Sequence, residues 1–477
     1  MADSLKRDTV RGVVWSAVER FSVQGVQFFV MLVMARLLLP ADYGLLGMLT
    51  IFITVSYVFI DAGFTSALIR KQNRTQLDNS TVFYFNVVLS LLLYILLWVA
   101  SPFIADFYEQ PLLSDLMRVV GLSLVINSFV LVPRAILTAD TDFKTQTKAS
   151  LIGAILSGSL GIFLAYRGCG VWSLVWQQIA NAIISSVIIW ILCRWRPTLE
   201  YSWQSFKELF GFGSKLLLSS LLDKTWSGIY PLVVGKVYSA EILGYYSRAH
   251  HFSEFPSSNV TAILQRVTYP ILCRIQDDPE RLPLIYRRFI RTSVFVIFPL
   301  MLGLSACSAP MINILIGEKW AYCSVLLTII CFSMMWYPMQ SINLNLLQVK
   351  GRSDLFLRLE IIKKIMGVIV LCISVPLGIE AMCYAGIVSS LISLIINTYY
   401  TGKLIDCGFL VQMKDIAHIL LLSLVVWGLL LGLFCFIDSD IVKLCVGIPL
   451  GMLLYVGVSL VLKFPELDEL LDIVKKR

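Results

Sequence analysis

Residues 44–68 read GLLGMLTIFITVSYVFIDAGFTSAL, an apolar run whose only charged side chain is Asp61. A helix of about 20 apolar residues crosses the hydrocarbon core of a bilayer, which is about 30 Å thick. The run therefore predicts a membrane span. A charge near the bilayer centre costs at least ~2.5 kcal/mol, so such residues usually face a bundle interior or a water-filled cavity. Asp61 thus predicts a polar interior beside this helix.

Comparable runs occur from one end of the chain to the other. The 477 residues are 58% hydrophobic and only 15% charged, which excludes a soluble globular protein of this size. The runs predict fourteen spans, near residues 10–38, 44–68, 80–105, 115–138, 146–167, 171–193, 206–238, 241–268, 285–308, 321–348, 356–377, 379–402, 412–436 and 438–462.

The basic residues predict the orientation of these spans. With the N-terminus in the cytoplasm, 29 of the 39 Lys and Arg residues fall at inner loops and helix ends, and 7 fall on the outer side. Cytoplasmic loops carry such an excess of Lys and Arg. We therefore expect an even number of spans, with both termini cytoplasmic. The net charge of +8 then indicates contact with anionic membrane lipids rather than with nucleic acid.

The loops between the spans are too short to fold as separate domains. The polar stretch near 194–205 separates six spans from eight, which predicts an all-α integral membrane protein with two six-helix lobes and a final helix pair. We place the N-terminal lobe, with spans one to six, at 1–200 and the C-terminal lobe, with spans seven to twelve, at 201–403. The last two spans and a cytoplasmic tail occupy 404–477.

The sequence lacks the usual signals of cofactor and nucleotide chemistry. The eleven cysteines are scattered without a CxxC pair, so we expect packing roles and neither a metal nor a disulfide. The glycine-rich run from Gly211 to Lys215 lacks the spacing of an ATP-binding loop. Energy would come from an ion gradient, the membrane potential or the substrate gradient. Lys6 and Arg7 precede a stretch that is too long for a cleavable signal peptide.

Polar side chains form stripes on four of the predicted helices, at the i, i+4 spacing that places residues on one face. The first stripe is Ser16, Arg20, Gln24 and Gln27, flanked by Glu19, and the second is Thr50, Thr54, Tyr57, Asp61 and Thr65. The seventh helix carries Lys215, Ser219, Asp223, Trp226 and Tyr230, with Lys224 beside them. The eighth carries Glu241, Tyr245, Arg248, His251, Glu254, Ser258, Thr261 and Gln265. Four such stripes, on the first two helices of each lobe, predict a central aqueous cleft.

The residue types in these stripes suggest roles. Arginine and lysine could hold a phosphate or pyrophosphate, while aromatic and amide side chains such as Trp226, Tyr230 and Gln24 could contact sugars. Carboxylates could couple transport to H⁺ or Na⁺, and the candidates are Glu19, Asp61 and Asp223. The alternative is a set of structural ion pairs between helices, such as Asp223 with Lys224 and Arg248. Buried pairs often add little net stability, which makes four stripes hard to explain in that way.

Several segments resemble a known family: 12–16 (GVVWS), 35–44 (ARLLLPADYG), 61–64 (DAGF), 210–213 (FGFG), 243–249 (LGYYSRA) and 267–270 (VTYP). In these segments the chain resembles the polysaccharide transporter branch of the multidrug/oligosaccharidyl-lipid/polysaccharide (MOP) exporter superfamily, the bacterial Wzx-type flippases for lipid-linked oligosaccharides.

The resemblance implies a MATE-like, V-shaped bundle of fourteen helices in a bacterial cytoplasmic (inner) membrane. A polyprenyl-pyrophosphate-linked oligosaccharide would pass its headgroup through the cleft, from the cytoplasmic to the outer leaflet, for O-antigen, capsule or exopolysaccharide assembly. Other glycan-assembly membrane proteins would be partners. Relatives hold the pyrophosphate with cationic residues on helices one, two, seven and eight, where this chain has Arg20, Lys215, Lys224, Arg248 and Arg266.

Two other functions fit parts of the pattern. A cation-coupled multidrug exporter of the same superfamily should have an excess of carboxylates in its chamber, whereas here basic groups are at least as numerous. A glycan-building enzyme should have a large outer loop with catalytic carboxylates. The only acidic outer cluster is Asp106, Glu109 and Asp115, in short loops, which favours a solvated surface and a protein that is not an enzyme.

Overall fold

A computed structural model describes residues 22–469, which are helical over most of their length and contain no β-strand. The helices of the first half are α1 (Ser22–Leu37), α2 (Pro40–Asp61), α3 (Phe64–Arg70), α4 (Gln76–Tyr108), α5 (Leu112–Ala139), α6 (Phe143–Tyr166), α7 (Val171–Leu192), α8 (Trp203–Val237) and α9 (Ala240–Arg274). The second half contains α10 (Arg281–Ala306), α11 (Ser308–Leu315), α12 (Ala321–Met334), α13 (Tyr337–Val349), α14 (Ser353–Ser374), α15 (Ile379–Ile405), α16 (Phe409–Phe434) and α17 (Asp440–Val461).

Ten helical segments of the described chain are long and apolar enough to cross a bilayer, which confirms an all-helical, multi-pass membrane protein. Two of the ten are broken, since α2 continues into α3 and α12 into α13. Four further predicted spans coincide with α1, α8, α9 and α14. Only Ser22–Leu37 of the first is described, and the other three fall outside the ten because they carry more polar and charged residues. The count of fourteen therefore stays a prediction.

Local signals in the sequence explain where several helices begin. The hydroxyl of Thr75 accepts from the backbone N–H of Asp78 at 3.2 Å, and the Asp78 carboxylate accepts from the N–H of Thr75 at 2.9 Å. Asp142 and Ser202 cap α6 and α8 by accepting from Thr145 and Ser205 at 3.1 and 3.2 Å. These bonds satisfy donors that the first helical turn leaves open.

The chain forms two compact units, one ending at Gly244 and the next beginning at Tyr245. In the first unit α4 packs on α5, α6 on α7 and α2 on α8. A buried cluster joins α3, α4, α5 and α8 through Phe64, Phe83, Val132 and Leu209.

In the second unit, α10 packs on α16 and α12, and α15 packs on α12, α13 and α14. Its interior holds a polar network. The Tyr286 hydroxyl donates to Asn343 Oδ1 at 2.8 Å, and the amide of Gln412 donates to the same oxygen at 3.1 Å and to the Thr401 hydroxyl at 3.2 Å. Four helices, α10, α13, α15 and α16, are joined by side chains that satisfy one another.

Candidate functional site

The second predicted span is broken where its carboxylate lies. Helix α2 ends at Asp61, and Ala62 and Gly63 adopt positive φ angles of 43° and 73° before α3 begins at Phe64. Asp61 Oδ1 accepts from the backbone N–H and the hydroxyl of Thr65 at 3.2 and 2.5 Å, which holds the first turn of α3. Breaks of this kind in membrane helices are tolerated only where protein or a water-filled cavity covers the backbone, and they often form transporter sites.

Helix α8 covers this break. A Cβ added at Gly63 would lie 2.5 Å from the carbonyl oxygen of Gly213, and one added at Gly213 would lie 2.5 Å from the oxygen of Ala62. Two backbones therefore touch with no side chain between them, because both positions are glycine. Farther along, Gly228 faces Ile51, so α2 and α8 run antiparallel along one seam.

The same seam ends in a reciprocal contact between the first turns of α2 and α9. A Cβ at Gly44 would overlap the carbonyl oxygen of Ala240, and a Cβ at Gly244 would overlap the carbonyl oxygen of Pro40. The two family-like segments 35–44 and 243–249 thus meet at this point. We call the contact of Pro40 and Gly44 with Ala240 and Gly244 the glycine clasp.

The polar stripe of α8 faces away from the seam. By helical periodicity Lys215, Asp223 and Tyr230 lie opposite Gly228, whereas Lys224 lies one turn before that glycine and near the α2 side. Trp226 and Tyr230 are half-buried and meet edge to face, with ring centroids 6.4 Å apart.

Three charged residues of α8, Lys215, Asp223 and Lys224, are exposed and form no ion pair within the described residues. Within the described residues no carboxylate lies within 4 Å of Lys215 or Lys224, and no basic group lies within 4 Å of Asp223. Asp223 therefore forms no ion pair with Lys224 in the described part of the chain, and the alternative of structural pairs that involve Arg248 stays a prediction. An exposed charge without an ionic partner is available to a ligand.

An arginine that the sequence did not single out also lies in this unit. Arg134 is half-buried near the end of α5, directly after Pro133, and its charge acts on the hydroxyl of Tyr57, as does that of Asp61. It was counted only among the inner-side basic residues, although it lies inside α5, which continues to Ala139. The sequence did carry a signal for this residue, since Arg134 directly follows a proline near the end of a predicted span.

The remaining predicted residues are placed as follows. Gln24 is half-buried on α1, and its Oε1 is buried with no hydrogen-bond partner in the described part of the chain. Glu19 and Arg20 lie outside the described residues. In the second unit, Arg248 is half-buried on α9 near Cys323, and Arg266 is exposed farther along the same helix. The meeting of the four stripes in one cleft stays a prediction.

One contact outside the spans fixes α3 against α8. The Lys71 ammonium donates to Glu208 at 3.0 Å and to Asp78 at 3.2 Å. Burial alone would lower the pKa of Lys71, but these hydrogen bonds outweigh it and raise the pKa above its ordinary value. Residues 22–469 contain no group of three or more His, Cys, Asp or Glu side chains that could hold a metal ion.

The sequence of this chain is similar to those of known proteins of polysaccharide biosynthesis. Residues 33–325, more than half of the chain, match the family model described as polysaccharide biosynthesis protein. The lipopolysaccharide biosynthesis protein WzxC of Escherichia coli (strain K12) is 24% identical over 76% of this chain and 74% of its own length. The succinoglycan biosynthesis transport protein ExoT of Rhizobium meliloti (strain 1021) is 23% identical over 100% of this chain and 98% of its own length.

Two solved structures share the fold. The lipid II flippase MurJ in an inward closed conformation superposes with a TM-score of 0.75 at 17% identity, over 94% of this chain and 98% of its own. An inward-facing MATE family multidrug resistance transporter of the MOP superfamily gives a TM-score of 0.63 at 17% identity, over 83% and 100%. The resemblance drawn from the sequence is confirmed: the chain belongs to the polysaccharide biosynthesis protein family and has the fold of MOP superfamily transporters.

Proposed function

We propose that this protein is a flippase that moves a polyprenyl-pyrophosphate-linked oligosaccharide from the cytoplasmic to the outer leaflet by alternating access. It is a transporter rather than an enzyme. The observation that carries the proposal is the lack of ionic partners for two lysines of α8. Lys215 and Lys224 are exposed on α8, and no carboxylate neutralises either of them within the described residues. An anionic headgroup is the cargo that such lysines would stabilise.

The names of relatives support the same cargo class. WzxC and ExoT are named for lipopolysaccharide and succinoglycan biosynthesis, and MurJ is described as a lipid II flippase. We assign the pyrophosphate contacts to Arg20, Lys215, Lys224, Arg248 and Arg266, and the sugar contacts to Gln24, Trp226 and Tyr230. Glu19, Asp61 and Asp223 are the candidates for coupling to H⁺ or Na⁺.

Arg134 extends this set of proposed contacts. It lies with Tyr57 and Asp61 in one polar region of the first unit, beside the break between α2 and α3. A guanidinium there can donate two parallel N–H hydrogen bonds to two oxygens of a phosphate, which a lysine cannot do.

The finer topology belongs to the proposal as well. We infer that α1, α8, α9 and α14 also cross the membrane, which makes fourteen spans with both termini cytoplasmic in a bacterial inner membrane. Each is a helix that coincides with a predicted apolar run, and their polar residues are the ones expected to face cargo. We keep the lobes at 1–200 and 201–403 with the final pair at 404–477.

The glycine clasp supports a transport cycle with a contact that opens and closes. At the clasp the backbones of α2 and α9 approach closely because Gly44 and Gly244 carry no side chain. We propose that the clasp is the closed state of one side of the pathway.

A cell-based experiment tests the function. Deleting the gene should abolish the surface glycan and cause its lipid-linked precursor to accumulate with the sugar still exposed to the cytoplasm. Wild-type protein and a Lys207→Gln control should restore the glycan, since Lys207 is exposed on α8 and rests on the ring of Trp203. Arg20→Ala or Arg248→Ala should not restore it, at equal protein level. A full surface glycan in the deletion strain would contradict the proposal.

The alternative function is a cation-coupled drug exporter, as suggested by the MATE-like fold. A susceptibility panel separates the two. The flippase proposal expects unchanged drug sensitivity in the deletion strain, whereas broad sensitisation with intact glycan would favour the exporter.

A further inference from the structure

A groove on the outer surface of the first unit has a basic end that the proposed transport pathway does not use. It lies between α5 and α7, has a volume of about 440 Å³, and is lined by apolar side chains that include Ile126, Phe129, Ile183, Val187 and Trp190. Its volume falls within the ~300–1,000 Å³ typical of small-molecule sites. Because both helices are membrane spans, the groove opens to lipid.

The groove has one charged lining residue, Arg196, just past the end of α7. Its Nη1 donates to the carbonyl oxygens of Cys193 and Trp195 at 2.6 and 2.7 Å, and its Nη2 donates to that of Trp190 at 2.7 Å. The guanidinium also lies over the Trp190 ring, 5.2 Å from the centroid. These contacts fix the group at the groove end, where the helix C-terminus favours a cation.

The guanidinium keeps capacity for a further ligand. Arginine has five N–H donors, and three hydrogen bonds use three of them. No carboxylate within the described residues lies within 4 Å of Arg196, and the side chain is exposed. A fixed, exposed cation with two open donors matches a phosphate oxygen.

Helices α6 and α7 carry no acidic residue, although Asp142 caps the start of α6. No acidic residue occurs between Asp142 and Glu200, a stretch that includes all of α6 and α7. These two helices form an antiparallel hairpin through the short connection 167–170, so the start of α6 and the end of α7 lie at the same end. That end carries four exposed basic residues, Lys144, Lys148, Arg194 and Arg196.

We propose that this groove is a binding site for an anionic phospholipid, with an acyl chain between α5 and α7 and the headgroup phosphate on Arg196. Basic pockets between membrane helices recognise anionic headgroups in this way. The site is separate from the polar face of α8, so the lipid would be a bound partner of the transporter rather than its cargo. The inference goes beyond the proposed function and does not depend on it.

The test measures which lipids stay bound to the full-length protein in detergent, by native mass spectrometry with phosphatidylglycerol and phosphatidylcholine at equal concentration. Wild type should retain phosphatidylglycerol preferentially. Arg196→Gln should lower that retention about fivefold, and Arg196→Lys should restore part of it. Val187→Trp, which fills the groove at a half-exposed position and leaves the arginine intact, should lower it as well.

Arg167→Gln is the matched control, because Arg167 is also exposed at a helix end and also lies over a ring, at 5.4 Å from the centroid of Phe163, but does not line this groove. It should leave lipid retention unchanged. Equal retention of the two lipids by wild type, or unchanged retention in both Arg196→Gln and Val187→Trp, would overturn the proposal. Displacement of phosphatidylglycerol by polyprenyl phosphate at equal concentration would also overturn it, since the groove would then hold a cargo tail.

Discussion

The two units each carry charged side chains on their helices, and those of the second unit's α10 and α16 are paired whereas three on α8 of the first unit are not. In the second unit Arg287 donates to both carboxylate oxygens of Asp415, at 2.6 and 2.5 Å, and Tyr286, Asn343, Thr401 and Gln412 satisfy one another. On α8 of the first unit, Lys215, Asp223 and Lys224 have no ionic partner within the described chain. Pairing indicates that a charge has a structural role. The absence of pairing on α8 indicates a surface that binds a ligand.

Removing a paired charge and removing an unpaired charge should therefore cost different amounts of stability. A buried pair contributes little net stability, yet removing one partner strands the other charge, so the second unit should be sensitive to single changes. An exposed, unpaired charge strands nothing when it is removed, so α8 should tolerate the same kind of change and lose only ligand binding.

The largest effect should follow from Asp415→Ala, which leaves Arg287 without its carboxylate. We expect a loss of about 2–3 kcal/mol in the free energy of unfolding, near the lower end for such truncations because Arg287 is partly exposed. Thermal unfolding of the purified protein in detergent measures this. The double change Arg287→Met with Asp415→Leu should recover part of the loss. An unchanged unfolding temperature in Asp415→Ala would mean that the paired charges of the second unit are no more important for stability than the unpaired charges of α8.

A smaller loss should follow where α3 begins against α8. Gly213→Ala places a methyl group 2.5 Å from the carbonyl oxygen of Ala62, so the two backbones must separate, at about 1–3 kcal/mol. Gly211→Ala is the matched control, because nothing lies within 4 Å of that position and alanine favours the helix. Equal unfolding temperatures for the two variants would mean that the glycine contact is not needed.

Cargo binding should weaken about tenfold in Lys215→Gln, since one charge-assisted hydrogen bond to the pyrophosphate is lost. The unfolding temperature should stay at the wild-type value. Binding of a polyprenyl pyrophosphate to the purified protein, measured by intrinsic tryptophan fluorescence, checks the first point. Lys207→Gln should bind normally, and a fall in stability without a fall in affinity would assign Lys215 a structural role.

The smallest effect concerns a lysine of α8 that does have a partner. Lys236 donates to Glu109 at 2.9 Å, and this hydrogen bond and the lysine charge hold the pKa of Glu109 below its usual value. The pair's contribution is present above the unfolded-state pKa of Glu109 and disappears as pH falls through the folded-state pKa. Because both groups are solvent-exposed, Glu109→Gln should leave the unfolding temperature at neutral pH nearly unchanged. A marked drop in the unfolding temperature would contradict the conclusion that the pair of Lys236 and Glu109 is a solvent-exposed surface pair.

Much of the fold could be predicted from the sequence because the thickness of the bilayer sets the length of each apolar span independently of the others. Apolar runs located the helices, and the carboxylate of Asp61 identified a span with a polar neighbour. The break after Asp61 could not be predicted, since the positive φ angles at Ala62 and Gly63 depend on a glycine 150 residues later in α8.

The candidate site could be predicted only in part, because contacts between residues far apart in the chain cannot be read from the sequence. Helical periodicity places Lys215, Asp223 and Tyr230 on one face of α8, but it cannot reveal which charges find partners in space. Arg134 was missed because charge counting treated it only as an inner-side charge, although it lies within the predicted span near 115–138 and within α5. The pair of Arg287 and Asp415 was missed because the two residues lie 128 positions apart.

The most direct test of the account is translocation by purified protein in liposomes, with a labelled polyprenyl-pyrophosphate oligosaccharide whose outer-leaflet fraction is read by an added glycosidase. We expect rapid exposure with wild type and with Lys207→Gln. The double variant Lys215→Gln with Lys224→Gln should be at least about tenfold slower while unfolding at the wild-type temperature. Wild-type translocation by that double variant would contradict the claim that the unpaired lysines of α8 serve the cargo.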